Sequence, residues 1–311
     1  MLPMLSSIFF LIVGSIGLYF GSEWLIDGAK NLAKRLKISD LVIGLTIVSI
    51  GTSFPELVIG LISAWEGYND FILGNVLGSN IANIGLALGL PALLYNISFH
   101  SRDLTSGFIY NLIAVAYLYY ILLDDKIILI EAQGLLFIFV IYMIGSFLRP
   151  DITSCDDELD SEHGLSVFRS IMKLVAGSVV LYAGSDLFVN NGAAPLAMHL
   201  GVSQKTVGMT VVAVGTSLPE IFVTLLALSK NAVGISLGNI IGSNIFNILF
   251  VLGSVGLVGT IDATPATFEL LLGLFLLFLL WIFGLFFNGL NKFSGAFLVL
   301  LYIIFVYLQF S

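Results

Sequence analysis

The chain contains the same pattern twice, in two segments that lie 164 residues apart. The stretch GTSFPE begins at Gly51 and the stretch GTSLPE begins at Gly215, and an LGNxxGSN motif follows each of them. The two halves align without a gap over both motifs, so that Thr52 pairs with Thr216. Two long motifs at one common offset indicate homologous halves. Whatever membrane or soluble fold the first half forms, the second half must form again.

Both halves consist mainly of apolar stretches of about 20 residues, the length that an α-helix needs to cross a bilayer. Only 10% of the residues are charged and 58% are hydrophobic, whereas a soluble domain carries about 25% charged residues. We therefore predict an all-α polytopic membrane protein with ten transmembrane helices and no separate soluble domain. The predicted spans are residues 5–28, 40–64, 71–95, 104–122, 127–148, 168–198, 205–228, 233–258, 266–288 and 292–309.

The number of spans decides how the two halves are related. Each half contains five, an odd number, so the second half must enter the membrane from the opposite side and the halves are inverted repeats. We predict a first repeat over residues 1–149, an acidic loop over 150–166 and a second repeat over 167–311. In such an arrangement the substrate site lies near the midplane, where interrupted helices of the two repeats meet.

Lys and Arg residues predict the orientation of the chain. The loops on one side of the predicted membrane hold ten of them, and the loops on the other side hold only Lys126 and Lys205. Because positive charge accumulates on the cytoplasmic side, we predict a multi-pass protein of the cell membrane with both termini outside. The acidic loop, with the single Cys155, is then inside. The first apolar run lacks a charged leader and a cleavage site, so we interpret it as a retained span.

The first GTSxPE motif lies in the middle of the second predicted span. Pro55 lacks an N–H group and clashes with the carbonyl of Gly51, which loosens the helix. Irregular backbone at this depth is tolerated only where it is buried in protein or lines a cavity. Thr52 and Glu56 are four residues apart and share one helix face. Hydroxyl, carboxylate and freed carbonyl oxygens therefore converge, and these are hard ligands of the kind that Na⁺ and Ca²⁺ prefer.

A carboxylate near the centre of a span costs about 2.5–3.5 kcal/mol, so we predict that Glu56 and Glu220 are ion ligands rather than inert, protonated carboxyls. For the hydroxyls the alternative is hydrogen bonding between helices; they are Thr52, Thr216, Ser79 and Ser243. Asn83 and Asn247 are predicted ligands for which the alternative is again polar contact between helices.

Two further polar pairs match across the repeat, and for Glu23 and Asp186 ion binding is the alternative to the role that we predict. Asn75 and Asn239 are expected to be mainly structural. Glu23 and Asp186 lie near the ends of long spans, where a role at the mouth of the pathway or as a cap is expected.

With these motifs in both halves, the chain resembles the sodium/calcium exchangers of the cation/Ca²⁺ exchanger superfamily, prokaryotic branch. The resemblance covers essentially the whole chain. It implies that Glu56 and Glu220 bind Ca²⁺ at the centre, helped by the backbone carbonyls of Thr52 and Thr216. The other ion ligands that it implies are Thr52, Ser53, Ser79, Thr216, Ser217 and Ser243 at flanking Na⁺ sites, Asn83 and Asn247 at the central site, and the carbonyls of Ser49 and Ala213.

The resemblance implies a secondary-active antiporter that exchanges Na⁺ for Ca²⁺ by alternating access, with three Na⁺ for one Ca²⁺ and net movement of charge. Ca²⁺ and Na⁺ are then substrates, and we predict no cofactor, no enzymatic activity, no nucleic-acid partner and no obligate protein partner. Some family members carry Asp at the place of Asn247, which adds a third acid, whereas this chain has Asn in both halves.

Three alternatives stay open at this stage. The first is a H⁺/Ca²⁺ exchanger on the same fold, although Thr–Ser in place of the Asn of many proton-coupled exchangers adds hydroxyl ligands and favours Na⁺. The second is an exchanger that handles K⁺ or Mg²⁺. The third is a membrane enzyme or receptor, which the lack of a nucleophile–base pair and of a soluble domain disfavours.

Overall fold

The computed structural model describes residues 2–67, 69–148, 166–201, 213–262 and 266–310. Most of the described residues are helical. Eight of the helices are long and apolar enough to cross a membrane. Asp40–Thr52 and Phe54–Glu66 meet at a bend of 43° and form a ninth span if they are counted together. The all-α polytopic class is therefore confirmed. The predicted total of ten is not shown, because part of the predicted span 205–228 lies outside the described residues, as do residues 149–165 with Cys155.

The elements of the first repeat run from α1 to α8, with π-helical segments inside two spans. In chain order they are α1 (Leu2–Leu36), α2 (Asp40–Ile43), a π segment (Gly44–Val48), α3 (Ser49–Thr52), α4 (Phe54–Glu66), α5 (Asn69–Ala82), a π segment (Asn83–Leu88), α6 (Gly89–Leu94), β1 (Ile97–Ser98), α7 (Ser101–Ile121), a 3₁₀ turn (Leu122–Asp124), β2 (Lys126–Ile127) and α8 (Leu129–Phe147).

The second repeat resembles the first over its described residues, but its first span is divided by a π segment, whereas α1 is continuous. Its elements are α9 (Val167–Asp186), a π segment (Leu187–Ala193), α10 (Ala194–His199), α11 (Ala213–Thr216), α12 (Leu218–Ser229), α13 (Val233–Phe246), a π segment (Asn247–Val251), α14 (Leu252–Gly256), β3 (Ile261–Asp262), α15 (Thr267–Phe286), β4 (Gly289–Leu290) and α16 (Lys292–Phe310).

Two short antiparallel strand pairs show that the repeats are inverted. β1 and β2 lie at the two ends of α7, whose 21 residues span about 31 Å. β1 pairs with β4, and β2 pairs with β3, although β3 is the repeat counterpart of β1 and β4 that of β2. The connection after the third span of one repeat therefore lies at the same end of the bundle as the connection after the fourth span of the other. This requires the second repeat to run in the opposite direction, as predicted.

Each GTSxPE motif interrupts its helix, also as predicted. α3 ends at Thr52 and α4 begins at Phe54, with Ser53 between them in a non-helical conformation. Pro55 stands in the first turn of α4, where its missing N–H group would have no partner in any case. The same break separates α11 from α12 at Ser217. The proline therefore starts a new helix instead of only weakening one.

The π-helical segments are a feature that the sequence analysis did not predict. Two of them begin at Asn83 and Asn247, which are repeat counterparts and candidate ion ligands. A π turn contains one extra residue and changes the direction of the side chains that follow, and such turns are frequent at functional sites.

α5 and α13, with the helical segments that continue them, form the centre of the bundle. In the spans Ile72–Leu94 and Val233–Gly256, 83% and 94% of the residues in the most apolar stretch are buried, against 22–28% in the other spans. Gly238 lets α13 approach its neighbour, since a Cβ atom there would lie 2.5 Å from the carbonyl oxygen of Leu41. A glycine at this position therefore permits close packing of α13 against α2. The counterparts of Gly238 and Gly242, Gly74 and Gly78, have nothing within 4 Å among the described residues.

Candidate ion-binding site

Glu56 and Glu220 lie at the positive ends of two helices, deep in the bundle. Each stands in the first turn of its helix, directly after the break, and both side chains are 0% exposed. A helix N-terminus carries partial positive charge and favours a carboxylate. Ser53, the residue just before α4, reaches the Glu220 carboxylate, so the two helix starts lie close together. Two acids from opposite repeats therefore face one buried region, which is where the sequence analysis expected the central site.

Hydroxyl groups of both repeats surround the Glu220 carboxylate. Ser53 Oγ donates to Glu220 Oε1 at 3.1 Å, and Ser243 Oγ donates to the same oxygen at 3.3 Å. Ser243 Oγ also lies 3.2 Å from Thr52 Oγ1. Ser53 and Thr52 belong to the first repeat, whereas Ser243 and Glu220 belong to the second. The structure thus brings these predicted residues together across the interface between the repeats.

The counterpart of this cluster lies around Glu56. Ser79 Oγ is 3.3 Å from Thr216 Oγ1, which reproduces the contact between Thr52 and Ser243 with the repeats exchanged. Ser217, the counterpart of Ser53, is fully buried. The two clusters are therefore similar in composition but differ in their hydrogen bonds.

Several buried oxygens of the predicted ligands accept and donate no hydrogen bond within the described part of the chain. They are Glu56 Oε1 and Oε2, Glu220 Oε2, Ser217 Oγ, Asn83 Oδ1 and Asn247 Oδ1. Buried polar atoms without partners are rare, and a cluster of them needs an explanation such as an ion. All six are oxygens, the ligand type of Na⁺ and Ca²⁺. The donor set therefore fits a hard cation.

Asn83 and Asn247 make the polar contacts between helices that were the alternative to ion binding. Asn83 Nδ2 donates to Asn244 Oδ1 at 3.0 Å, and Asn247 Nδ2 donates to Asn80 Oδ1 at 3.1 Å. Their amide nitrogens thus hold helices together, while their Oδ1 atoms stay without a hydrogen bond. Asn80 was not among the predicted residues. The signal was that the first GSN motif ends at Asn80 and the second at its counterpart Asn244.

The backbone ligand positions differ between the two repeats. The carbonyl of Ser49 accepts from the amide of Ser53 at 3.0 Å and from Thr52 Oγ1 at 3.3 Å. In the second repeat the amide of Ser217 donates to the carbonyl of Val214 at 3.1 Å. The roles of Ser49 and Ala213 as ligands stay predictions.

Asn239, for which a mainly structural role was predicted, makes a hydrogen bond to the candidate ligand Thr52. Its Oδ1 accepts from Thr52 Oγ1 at 2.9 Å. Asn239 therefore helps to set the direction of the Thr52 hydroxyl, and its own Nδ2 has no partner among the described residues, as is also true of Asn75 Nδ2.

Charged residues near one end of α1 form a separate cluster away from the buried carboxylates. Asp27 binds Lys173 at 3.2 Å and Lys230 at 2.9 Å, and Glu23 lies 3.6 Å from Lys230. This cluster links α1, α9 and the end of α12. Glu23 is thus in an ion pair, and Asp186 accepts from Asn190 at 2.8 Å. Among the described residues no hydrogen bond or ion pair joins either acid to a predicted ligand, and Asp27 was not among the predicted residues.

Comparison with protein families gives one match over most of the chain. The sequence model of the family described as "Sodium/calcium exchanger protein" matches residues 6–148 and 169–311. The two matched segments contain both GTSxPE motifs and both GSN motifs.

Curated and solved relatives agree with this match. The "Putative antiporter CaxA" of Alkalimonas amylolytica is 40% identical over 258 residues, covering 80% of each chain. The "Sodium/calcium exchanger MaX1" of Methanosarcina acetivorans is 30% identical over 286 residues, covering 78% of this chain and 80% of the relative. A solved structure of the sodium-calcium exchanger NCX_Mj superimposes with a TM-score of 0.82 at 31% identity, covering 97% of this chain and 98% of that one.

Proposed function

The chain belongs to the sodium/calcium exchanger protein family, and we propose that it exchanges Na⁺ for Ca²⁺ across a membrane by alternating access, with Glu56 and Glu220 as the central ligands. The single observation that carries the site assignment is the pair of fully buried carboxylates, one from each repeat, of whose four oxygens three have no hydrogen-bond partner among the described residues. Ca²⁺ is a substrate here and not a resident cofactor.

The two ions compete for overlapping ligands in this proposal. Ca²⁺ binds between Glu56 and Glu220, where two negative charges balance its own. Na⁺ ions bind on the flanks, where the hydroxyl clusters supply neutral oxygens: Thr52, Ser53 and Ser243 on one side, and Ser79, Thr216 and Ser217 on the other. Each flanking Na⁺ site also needs one of the two glutamate carboxylates as a ligand. Because Ca²⁺ uses both of these carboxylates, Na⁺ and Ca²⁺ cannot both bind tightly at the same time. Mutual exclusion of this kind is what couples the two fluxes in an antiporter.

Inverted repeats support the alternating-access part of the proposal. Two similar halves in opposite orientations can exchange conformations, and each exchange moves the opening from one side of the membrane to the other. The chain is a transporter in this account, and no covalent step is part of it.

Sodium dependence tests the proposed function against its nearest alternative. We expect ⁴⁵Ca²⁺ uptake into proteoliposomes to require Na⁺ inside, and to fall to the level of protein-free vesicles when Na⁺ is replaced by N-methylglucamine. A pH gradient without Na⁺ should drive no uptake. Uptake that follows the pH gradient alone would instead support the proton-coupled alternative, which the family match and the relatives do not favour.

The orientation is a separate proposal: both termini outside, with the acidic loop inside the cell, as the distribution of Lys and Arg suggests. Cys155 is the only cysteine, so a thiol reagent reports on this loop alone. We expect a membrane-impermeant maleimide to label Cys155 only after the cells are opened. The matched control is Lys126→Cys combined with Cys155→Ser, which should be labelled in intact cells. The reverse pattern would show that the orientation is inverted.

A further inference from the structure

Four buried asparagines, two from each repeat, form a symmetric network where α5 meets α13. Asn80 and Asn244 are repeat counterparts, as are Asn83 and Asn247, and all four are at most 5% exposed. Asn80 Nδ2 donates to the backbone carbonyl of Asn244 at 3.1 Å, and Asn244 Nδ2 donates to that of Asn80 at 3.2 Å. The remaining two hydrogen bonds run from Asn247 to Asn80 and from Asn83 to Asn244, as described above. We call Asn80 and Asn244 the inner pair, and Asn83 and Asn247 the outer pair. Each inner asparagine thus accepts a hydrogen bond from the outer asparagine of the opposite repeat.

The backbone carbonyls determine the direction of every amide in this network. A carbonyl oxygen only accepts, so the side chain of Asn80 must turn its NH₂ group toward Asn244 and its Oδ1 the other way. That Oδ1 is again only an acceptor, so Asn247 must turn its NH₂ group toward Asn80. The Oδ1 of Asn247 is then directed away from Asn80. The same sequence of steps leads from Asn244 to Asn83.

The result is that two acceptor oxygens are presented in a buried region without a donor. Asn83 Oδ1 and Asn247 Oδ1 are the only atoms of the four side-chain amides that have no hydrogen-bond partner among the described residues. Asn80 and Asn244, by contrast, use both ends of their amides within the protein. They also line a cavity of about 20 Å³ with Asn111, which Asn83 and Asn247 do not line. The inner pair therefore has no free atom for an ion, and the outer pair has one each.

We propose that Asn80 and Asn244 are positioning residues of the ion site: each orients the ligand amide of the opposite repeat so that its oxygen faces the ion. This rests on the proposed function, because it takes the Oδ1 atoms of Asn83 and Asn247 as ion ligands. Without Asn80, the amide of Asn247 is free to rotate and can present its NH₂ group, which repels a cation. Groups that orient a metal ligand in this way are generally worth about 10- to 100-fold in metal affinity.

The direct test is the Ca²⁺ dependence of uptake in Asn80→Ala. We expect the KM for Ca²⁺ to rise by about 10- to 100-fold, with a much smaller change in the maximum rate. The matched control is Asn111→Ala. Asn111 is also a buried asparagine, and its Nδ2 donates to the backbone carbonyls of Gly107 and Ile241, both at 3.2 Å. Within the described part of the chain, no hydrogen bond joins it to a predicted ligand. We expect Asn111→Ala to leave the KM within about twofold even if it lowers Tm, because lost packing and lost ligand orientation are separate effects.

A double-mutant cycle separates positioning from a general loss of structure. If Asn80 acts through Asn247, then Asn80→Ala should raise the KM in the wild-type background but change it less than about twofold in the Asn247→Ala background. Independent, multiplicative effects of the two substitutions would overturn the proposal, and so would an unchanged KM in Asn80→Ala alone. Should Asn80→Ala fail to fold, the symmetry-related cycle of Asn244→Ala with Asn83→Ala makes the same test.

Binding measured without transport keeps the two proposals distinguishable. The rise in Tm on adding Ca²⁺ to the purified wild-type protein reports binding directly. If the wild-type protein shows neither this rise nor Na⁺-dependent uptake, the proposed function has failed. If the wild-type protein shows both and Asn80→Ala keeps the full Ca²⁺-induced rise, only the positioning role has failed.

Discussion

Glu56→Gln and Glu220→Gln are each expected to abolish Ca²⁺ exchange while leaving the protein folded. Both carboxylates are fully buried, and in the proposed site they together balance the two charges of Ca²⁺. Removing one leaves an uncompensated charge on the bound ion. A charge of this kind near the centre of a membrane costs about 2.5–3.5 kcal/mol or more, which corresponds to a loss of affinity of about 100-fold or more. The measurement is the initial rate of Na⁺-dependent ⁴⁵Ca²⁺ uptake at equal amounts of reconstituted protein.

Glu66→Gln is the matched control for this prediction. Glu66 lies on the same helix as Glu56 but at its opposite, exposed end. It should tolerate the substitution with near-normal uptake. Glu56→Gln is the cleaner of the two site variants, since neither oxygen of Glu56 has a hydrogen-bond partner among the described residues, whereas Glu220 accepts from Ser53 and Ser243. Near-normal uptake by either site variant would remove that glutamate from the ion site.

Voltage is expected to change the Ca²⁺ gradient that the protein can sustain by nearly 50-fold per 100 mV. With both glutamates ionised, the empty site carries a charge of about −2; one Ca²⁺ brings it to zero and three Na⁺ bring it to about +1. A full cycle then moves one net charge, worth about 2.3 kcal/mol per 100 mV. The described residues contain no group of three or more acidic, histidine or cysteine side chains that could hold a metal. The charge of about −2 therefore counts only Glu56 and Glu220.

The experiment uses Na⁺-loaded proteoliposomes whose voltage is set by K⁺ and valinomycin. Inside-positive voltage should drive Na⁺ out and accelerate Ca²⁺ entry, and inside-negative voltage should slow it. The same K⁺ gradients without valinomycin are the control, because they should have no effect unless the protein itself handles K⁺. Exchange of two protons for one Ca²⁺ moves no net charge, so uptake that ignores voltage would contradict the three-sodium stoichiometry.

Much of this architecture was predictable because it depends on local patterns. The apolar spans follow from the thickness of the bilayer, and the interruption at Ser53 follows from the chemistry of Pro55. The inversion followed from counting five spans in each repeat, and the crossed pairing of β1 with β4 and of β2 with β3 confirms it. The predicted ligands Thr52, Ser243 and Glu220 do come together, although ion binding by them remains to be measured.

The sequence by itself thus determined the membrane class, the two inverted halves and the positions of the buried carboxylates, because chain length, hydrophobicity and a doubled motif are properties of the chain alone. Only the tertiary structure decided which groups meet. It alone showed that Ser53 of one repeat binds Glu220 of the other, that Asp27 joins Lys173 and Lys230, and that the amides of the asparagine network have fixed directions. These contacts join residues more than 140 positions apart. They depend on how the helices cross and on the π turns within them, which no local pattern encodes.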